Sequence, residues 1–265
     1  MNTCRLCEGN LTLQFNLTLL GKYNVPFAKC SQCESLQSET PYWLDEAYAG
    51  KNLSNLDTGA AQRNIHNLAA CYAICKLLKI KNVIDIGGGD GLLCRMLRDY
   101  EINCFVKDKY ATPIYAQGFT EHDFLKPDMV IGFELLEHFP NPAVDLKELF
   151  RFQSNALLLS TAIYNNQNQD WWYLVPESGQ HVFFYSKKSL GMIAKQYGYS
   201  LVMSGGFILL LKECSAFKKA LATLALTKVV CRLLRALVVL LPARGIAKDQ
   251  VTQMEKSKLQ QKSGE

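Results

Sequence analysis

The chain lacks an uninterrupted apolar run long enough to cross a bilayer. Its most apolar late stretch, "ALATLALTKVVCRLLRALVVLLP" at 220–242, is broken by Lys228, Arg232 and Arg235, whereas a membrane-spanning helix needs about 20 predominantly apolar residues. The opening "MNTCRLCEGN" lacks the basic-then-apolar pattern of a secretory signal. The expectation is a cytoplasmic protein, peripheral at most to the inner membrane surface. Histidine is scarce, with only His66, His122, His138 and His181, which narrows the choice of a base working near neutral pH. A broad basic surface is lacking too. Residues 212–265 carry 11 Lys/Arg against 4 Asp/Glu, or +7, so the net +5 leaves −2 for residues 1–211. That balance argues against a nucleic-acid partner for the body of the fold.

What is present suits one large core with a small appendage: 265 residues, 49% hydrophobic and 20% charged. Ten cysteines without a secretion signal point to a reducing compartment and to thiolates kept for metal. Cys4-x2-Cys7 and Cys30-x2-Cys33, with 22 residues between the pairs, match a tetrahedral site in which each pair sits on its own knuckle turn. Four protein ligands leave no position for a reacting water, so the expected Zn2+ is structural. The other six cysteines lack such pairing and read as small core or surface residues.

The first 40 residues read as loop-rich, and a helical pattern follows at about 60–79. From residue 82 strands and helices alternate, with strands at 82–86, 103–107, 116–119, 129–133 and 156–160, and helices at 91–100, 142–153 and 187–197. This order predicts an α/β, doubly wound parallel sheet covered on both faces. "SLVMS" and "GFILLLKE", parted by Gly205 and Gly206, read as a closing hairpin. Residues 216–241 form a basic, mostly apolar helical segment, and 248–265 read as a polar tail with little reason to fold.

The stretch "VIDIGGGDGLL" sets four glycines between a strand and a helix. Gly87, Gly89 and Gly91 let the chain turn sharply and bring bare backbone to a ligand. A dinucleotide fingerprint counted from Gly87 would need a third glycine at residue 92, which is leucine, and the Gly-Lys-Ser/Thr of a phosphate loop is absent. Asp108 closes the second strand, where a carboxylate can accept both ribose hydroxyls of an adenosine-containing ligand. A ligand with ribose but no phosphate fits best, and Asp85 suits one that carries positive charge.

These residues resemble motif I of class I S-adenosylmethionine-dependent methyltransferases, and "DMVIGFELLEHFPNP" resembles that family's fourth-strand motif. The resemblance covers residues 82–212. It implies a Rossmann-like sheet of seven strands, the last antiparallel, with S-adenosylmethionine (SAM) across the strand ends. By position it puts Asp85, Gly87, Gly89 and Gly91 at the methionine part, Asp108 at the ribose, Phe119 at the adenine side and Glu134 at the pocket edge. Residues 1–40 would be a zinc knuckle, 41–81 a linker and helix capping the SAM site, and 213–265 a basic amphipathic helix and tail. A knuckle ahead of such a domain resembles methyltransferases of polysaccharide, deoxysugar and natural-product clusters, although this chain ends soon after the last strand, without the extra domain of the sugar C-methyltransferases.

Methyl transfer from a sulfonium is an in-line displacement, and a hydroxyl or carbon acid must also lose a proton. His181, in "ESGQHVFFYS" after the fifth strand, is the first candidate base, set against a merely structural role that orders its loop. His138 is the second. Trp171, Trp172 and Tyr173 suit either stacking on a flat or sugar acceptor or a lid over the core. The expected acceptor is a small molecule or a glycan-linked group, with a sugar or nucleotide-sugar as the narrower reading. The basic 216–241 helix suits membrane contact, self-association or packing on its own domain. A reading of a different class is a non-catalytic zinc-binding interaction module on a degenerate Rossmann-like body.

Overall fold

The computed structural model describes residues 3–49, 57–120 and 126–262, with only the helical backbone for 259–262. Two sheets organise it. The first joins β1 (Leu11–Leu19), β2 (Tyr23–Cys30), β3 (Leu36–Ser38) and β8 (Phe183–Phe184) in that order, all antiparallel. The second has the order β5-β4-β6-β7-β10-β9, made of β4 (Asn82–Ile86), β5 (Asn103–Lys107), β6 (Met129–Phe133), β7 (Ala156–Ser160), β9 (Ser200–Ser204) and β10 (Phe207–Leu211). Strands β5, β4, β6 and β7 run parallel, and β10 lies antiparallel between β7 and β9.

The near-continuous apolar runs "MVIGF", "ALLLS" and "FILLL" are buried because helices cover both faces of this sheet. On one face lie α2 (Ala60–Leu78), α3 (Leu92–Asp99), α6 (Ala216–Ala225) and α7 (Lys228–Val238); on the other lie α4 (Pro142–Phe150) and α5 (Lys187–Tyr197). The sheet has six strands among the described residues. Where a seventh was expected, at 116–119, the chain makes a single parallel bridge from Thr120 to Val106, and the Phe119 carbonyl accepts from Val106 N–H at 3.0 Å.

Two sequence expectations need correction. The first 40 residues are not loop-rich: β1 and β2 form a long hairpin, because "LTLQFNLTL" alternates apolar and polar residues with the period of a strand. The hairpin joins α1 (Leu44–Ala49) and the 164–184 loop around a separate apolar cluster of Phe27, Trp43, Tyr173 and Phe184.

The polar tail is also folded, as α8 (Gly245–Lys262). Its buried Asp249 accepts a bidentate pair of bonds from Arg98, both at 2.7 Å, and a third from Arg95 at 2.6 Å. Burial opposes the charge on Asp249, but the bonds from Arg98 and Arg95 outweigh it and hold the carboxyl below its ordinary value. Asp249→Ala is expected to cost about 1–3 kcal/mol through these charge-assisted bonds. Hydrogen exchange should show 245–258 opening first. Unchanged protection there would mean that the ion pair does not hold the helix.

Candidate functional site

The glycine loop leaves the carboxyl end of β4 and enters α3. Gly87, Gly89 and Gly91 all adopt positive φ, at 73°, 57° and 81°, the left-handed region that glycine enters without strain. At Gly87 a Cβ would strike Leu135 at 2.7 Å, whereas at Gly89 it would meet nothing within 4 Å. The loop is therefore packed on its inner side and open where Gly89 turns outward.

Asp108, just past β5, flanks this opening. Its Oδ2 accepts from Gly89 N–H at 2.9 Å, and Oδ1 accepts from the N–H groups of Tyr110 and Ala111, both at 2.8 Å. Asp85 lies beneath the loop: it is buried, its Oδ2 has no hydrogen-bond partner, and that oxygen would lie 2.5 Å from a Cβ at Gly88. Gly88, not singled out in the sequence, is thus the position in this loop where a Cβ would come closest to another atom. Burial first, and then the charge of Asp108, pushes Asp85 up to about 8.

Phe119 is buried. Its ring takes the guanidinium of Arg98 at 3.5 Å on one side and meets Phe105 edge-on. It anchors the 113–119 segment, which packs against the loop where a Cβ on Gly91 would meet Ala116 at 2.8 Å.

The second half of the site follows β6. Glu134 adopts a left-handed φ of 50°, an uncommon state for a non-glycine residue that often marks functional sites. Its N–H donates to Ser160 Oγ at 3.1 Å, and that hydroxyl donates back to Glu134 Oε1 at 2.8 Å. A short 3-10 turn, Leu136–His138, then carries Glu137 into the core.

The Tyr173 hydroxyl stands between two carboxylates, 2.8 Å from Glu134 Oε2 and 2.5 Å from Glu137 Oε1. One hydroxyl proton cannot serve both. Burial, and then the charge of Glu134, pushes the Glu137 carboxyl well above its ordinary value, which favours a protonated Glu137 supplying the second proton of this pair of contacts.

His138 and His181 come together, ring edge to ring face at 4.8 Å. Nδ1 of His181 lies 2.7 Å from the Tyr173 carbonyl. A carbonyl only accepts, so Nδ1 carries the proton and Nε2 keeps its lone pair. Burial lowers the His181 pKa, partly offset by the Tyr173 bond and the charge of Glu134. Burial and the neighbouring His181 push His138 down to about 3, and its Nδ1 faces the Tyr48 hydroxyl at 3.2 Å. Both rings are thus neutral at pH 7. Glu137, His138 and His181 each bring a possible metal-ligand atom within 4.8 Å of the others; Glu137 Oε1 and His181 Nδ1 are engaged by Tyr173, whereas Glu137 Oε2 is buried without a hydrogen-bond partner. Proton sharing is the chemistry this arrangement favours.

His66 stands apart, stacked on Phe207 at 5.1 Å, and His122 falls outside the described residues. The aromatic run divides by role: Tyr173 is buried, Trp171 packs on Tyr164 and Phe184, and Trp172 is 75% exposed. A shallow hollow of about 510 Å³ beside them is lined by Asn166, Gln167, Asn168, Asp170, Trp171 and Trp172.

A family model described as a methyltransferase domain matches residues 55–204, more than half of the chain. The chain belongs to that methyltransferase family. No curated protein matches the sequence. Solved structures of similar fold include the methyltransferase domain of bacterial CtHen1, at 16% identity and a TM-score of 0.42 over 57% of this chain and 99% of that one. A Burkholderia thailandensis 1,6-didemethyltoxoflavin-N1-methyltransferase, bound to 1,6-didemethyltoxoflavin and S-adenosylhomocysteine, aligns at 12% identity and a TM-score of 0.48 over 71% and 95% of the two chains. Magnesium protoporphyrin IX methyltransferase from Synechocystis PCC 6803 aligns at 14% and 0.41 over 58% and 87%.

The methyltransferase carries its four paired cysteines as one cluster. Cys4 and Cys33 sulfurs lie 3.6 Å apart, those of Cys7 and Cys30 lie 3.5 Å apart, and all four fall within 4.8 Å of one another. Thiolates about 2.3 Å from a tetrahedral ion would be separated by roughly 3.8 Å, so the donor set fits zinc. None of the four is in a disulfide, and the N–H groups of Leu6 and Gln32 point at Cys4 and Cys30 sulfurs at 3.5 and 3.4 Å.

Proposed function

We propose that this methyltransferase transfers the methyl group of SAM to a small-molecule or glycan-linked acceptor, with a sugar or nucleotide-sugar as the favoured class. The observation that carries the reading is the pairing of Gly89 N–H with Asp108 across two adjacent strand ends, over open space. SAM supplies an electrophilic methyl group on a sulfonium. Asp108 Oδ2 keeps one lone pair for a ribose hydroxyl beside its bond from Gly89, the 113–119 segment held by Phe119 bounds the adenine side, and Gly87 to Gly91 offer bare backbone to the methionine part. Asp85 supports that loop from beneath.

On the acceptor side, His181 Nε2 takes the proton as the methyl bond forms, and the Tyr173 carbonyl holds the ring in that orientation. Glu134, at the pocket edge, stabilises the imidazolium that results. His138 is neutral and sandwiched between Tyr48 and His181, which suits positioning of the His181 ring. The hollow of side-chain amides with an exposed Trp172 suits a hydroxylated, flat-faced group such as a sugar.

The zinc proposed for Cys4, Cys7, Cys30 and Cys33 is structural, and its work reaches the base. The loop bearing His181 is clamped by the N-terminal region: Trp43 Nε1 donates to Gly179 O at 2.7 Å, Gln180 Nε2 donates to Ala47 O at 2.8 Å, and Arg5 donates to Val182 O at 2.7 Å. Ser186, the N-cap of α5, donates to the Cys33 carbonyl at 2.5 Å. The knuckle therefore acts as the scaffold of the acceptor side.

Calorimetry of Asp108→Ala with S-adenosylhomocysteine tests the cofactor half. The variant should bind about 1–3 kcal/mol more weakly than wild type, through lost charge-assisted hydrogen bonds to the ribose and a loosened Gly89. Equal affinity would remove Asp108 from the ribose.

A further inference from the structure

Residues 214–248 contain seven Lys/Arg and no Asp or Glu. They form α6, α7 and the turn into α8, which pack on α2 and on strand β9 through one face, burying Ala222, Leu226, Cys231 and Val238. The other face is not polar. Val229, Leu233 and Leu237 fall within an arc of about 80° at 3.6 residues per turn, and each is more than half exposed, as is Leu240 in the turn after α7, at 78%. Phe217 and Leu224 extend the patch along α6, and Val239 and Leu241 extend it into the turn. Lys228 and Arg232 lie exposed along one flank of the α7 stripe.

Docking on its own domain has thus used one apolar stripe of α7 and left a second. We infer that this second face docks on an anionic lipid bilayer surface, lying in the headgroup plane with its apolar stripe buried and its cations against lipid phosphates. The charge selects the occupant. A second copy of this chain meeting face to face would bring the same cations together without a counter-charge. Nucleic acid would leave the apolar stripe in water. An anionic bilayer accepts both features. No helix of the described residues is long and apolar enough to cross a membrane, so the contact lies in the plane.

The position of this face bears on the chemistry. Arg235 at the end of α7 donates to Gln62 Oε1 at 2.8 Å. The next residue, Arg63, pairs with Asp57, and its guanidinium also feels the charge of Glu134. A surface-bound enzyme would thereby hold its acceptor site near the headgroups.

Vesicle flotation of the full chain tests the inference, with phosphatidylcholine vesicles compared with vesicles in which a quarter of the lipid is phosphatidylglycerol. The chain should float with the phosphatidylglycerol vesicles, stay behind with pure phosphatidylcholine, and be released as salt is raised. Lys228→Glu with Arg232→Glu, and separately Val229→Asp with Leu233→Asp and Leu240→Asp, should each weaken flotation about tenfold or more. Because these side chains are exposed, both variants should keep the wild-type melting temperature and affinity for S-adenosylhomocysteine. Absence of flotation with phosphatidylglycerol, or flotation that neither variant weakens, overturns the inference. So does a dimer in solution that the aspartate variant dissociates while vesicles go unbound, which would assign the face to a second copy.

Discussion

Replacing His181 with alanine should lower turnover by roughly 10²–10⁴-fold while leaving SAM affinity nearly intact. On the proposed assignment the imidazole works on the acceptor, near the charge of Glu134, and the loop and Asp108 at the ends of β4 and β5 share no hydrogen bond with it. The ring is locked by the Tyr173 carbonyl at 2.7 Å, so a replacement base cannot swing in from the same position. Burial is the larger influence on its pKa and lowers it from the ordinary 6.5. The base form therefore persists below that pH, and the rate should rise with pH along a limb centred below 6.5 that disappears in the alanine variant. A purely structural His181 predicts otherwise: near-normal turnover, an unchanged pH profile and earlier melting because the 164–185 loop has loosened. That outcome would pass the role of base to His138 or Glu134.

Cys30→Ser should release the zinc and, with it, most of the activity. The structural ion of a small closed site is worth about 10 kcal/mol or more to the segment it folds, and the knuckle segment runs directly into the clamp on residues 179–186. The expected pattern is one zinc per chain in wild type and none in the variant. Hydrogen exchange should be faster at 11–38 and 178–186, turnover should be lost, and S-adenosylhomocysteine binding should be retained, because the glycine loop and Asp108 lie in the separate parallel sheet. Metal analysis finding no zinc in wild-type protein purified without chelator would contradict the assignment. Loss of cofactor binding in the variant would show that the two sheets fold as one unit.

The parts of the fold legible in the sequence are those whose signal is local. The run 82–91 states its strand, turn and helix entry in consecutive residues, and the two Cys-x2-Cys pairs state a donor set whose sulfurs do meet. The N-terminal hairpin is equally local, since "LTLQFNLTL" alternates throughout, although the Cys-x2-Cys pairs at either end of it span turns. What could not be read was produced by contacts between distant segments. Asp249 folds the tail only because Arg95 and Arg98 stand beside it, some 150 residues earlier in the chain. Tyr173 and Glu137 join the site because β8 draws the 164–184 loop against the N-terminal sheet, and no spacing in the sequence announces a tyrosine between two carboxylates.

Calorimetric titration of the metal-replete full chain with SAM and with S-adenosylhomocysteine measures directly whether the Gly87–Gly91 loop and Asp108 form a nucleoside site. Saturable binding of both is expected at one site per chain, in competition with each other. A chain that binds neither would be the non-catalytic zinc module on a degenerate body, and the methyl-transfer reading would be wrong.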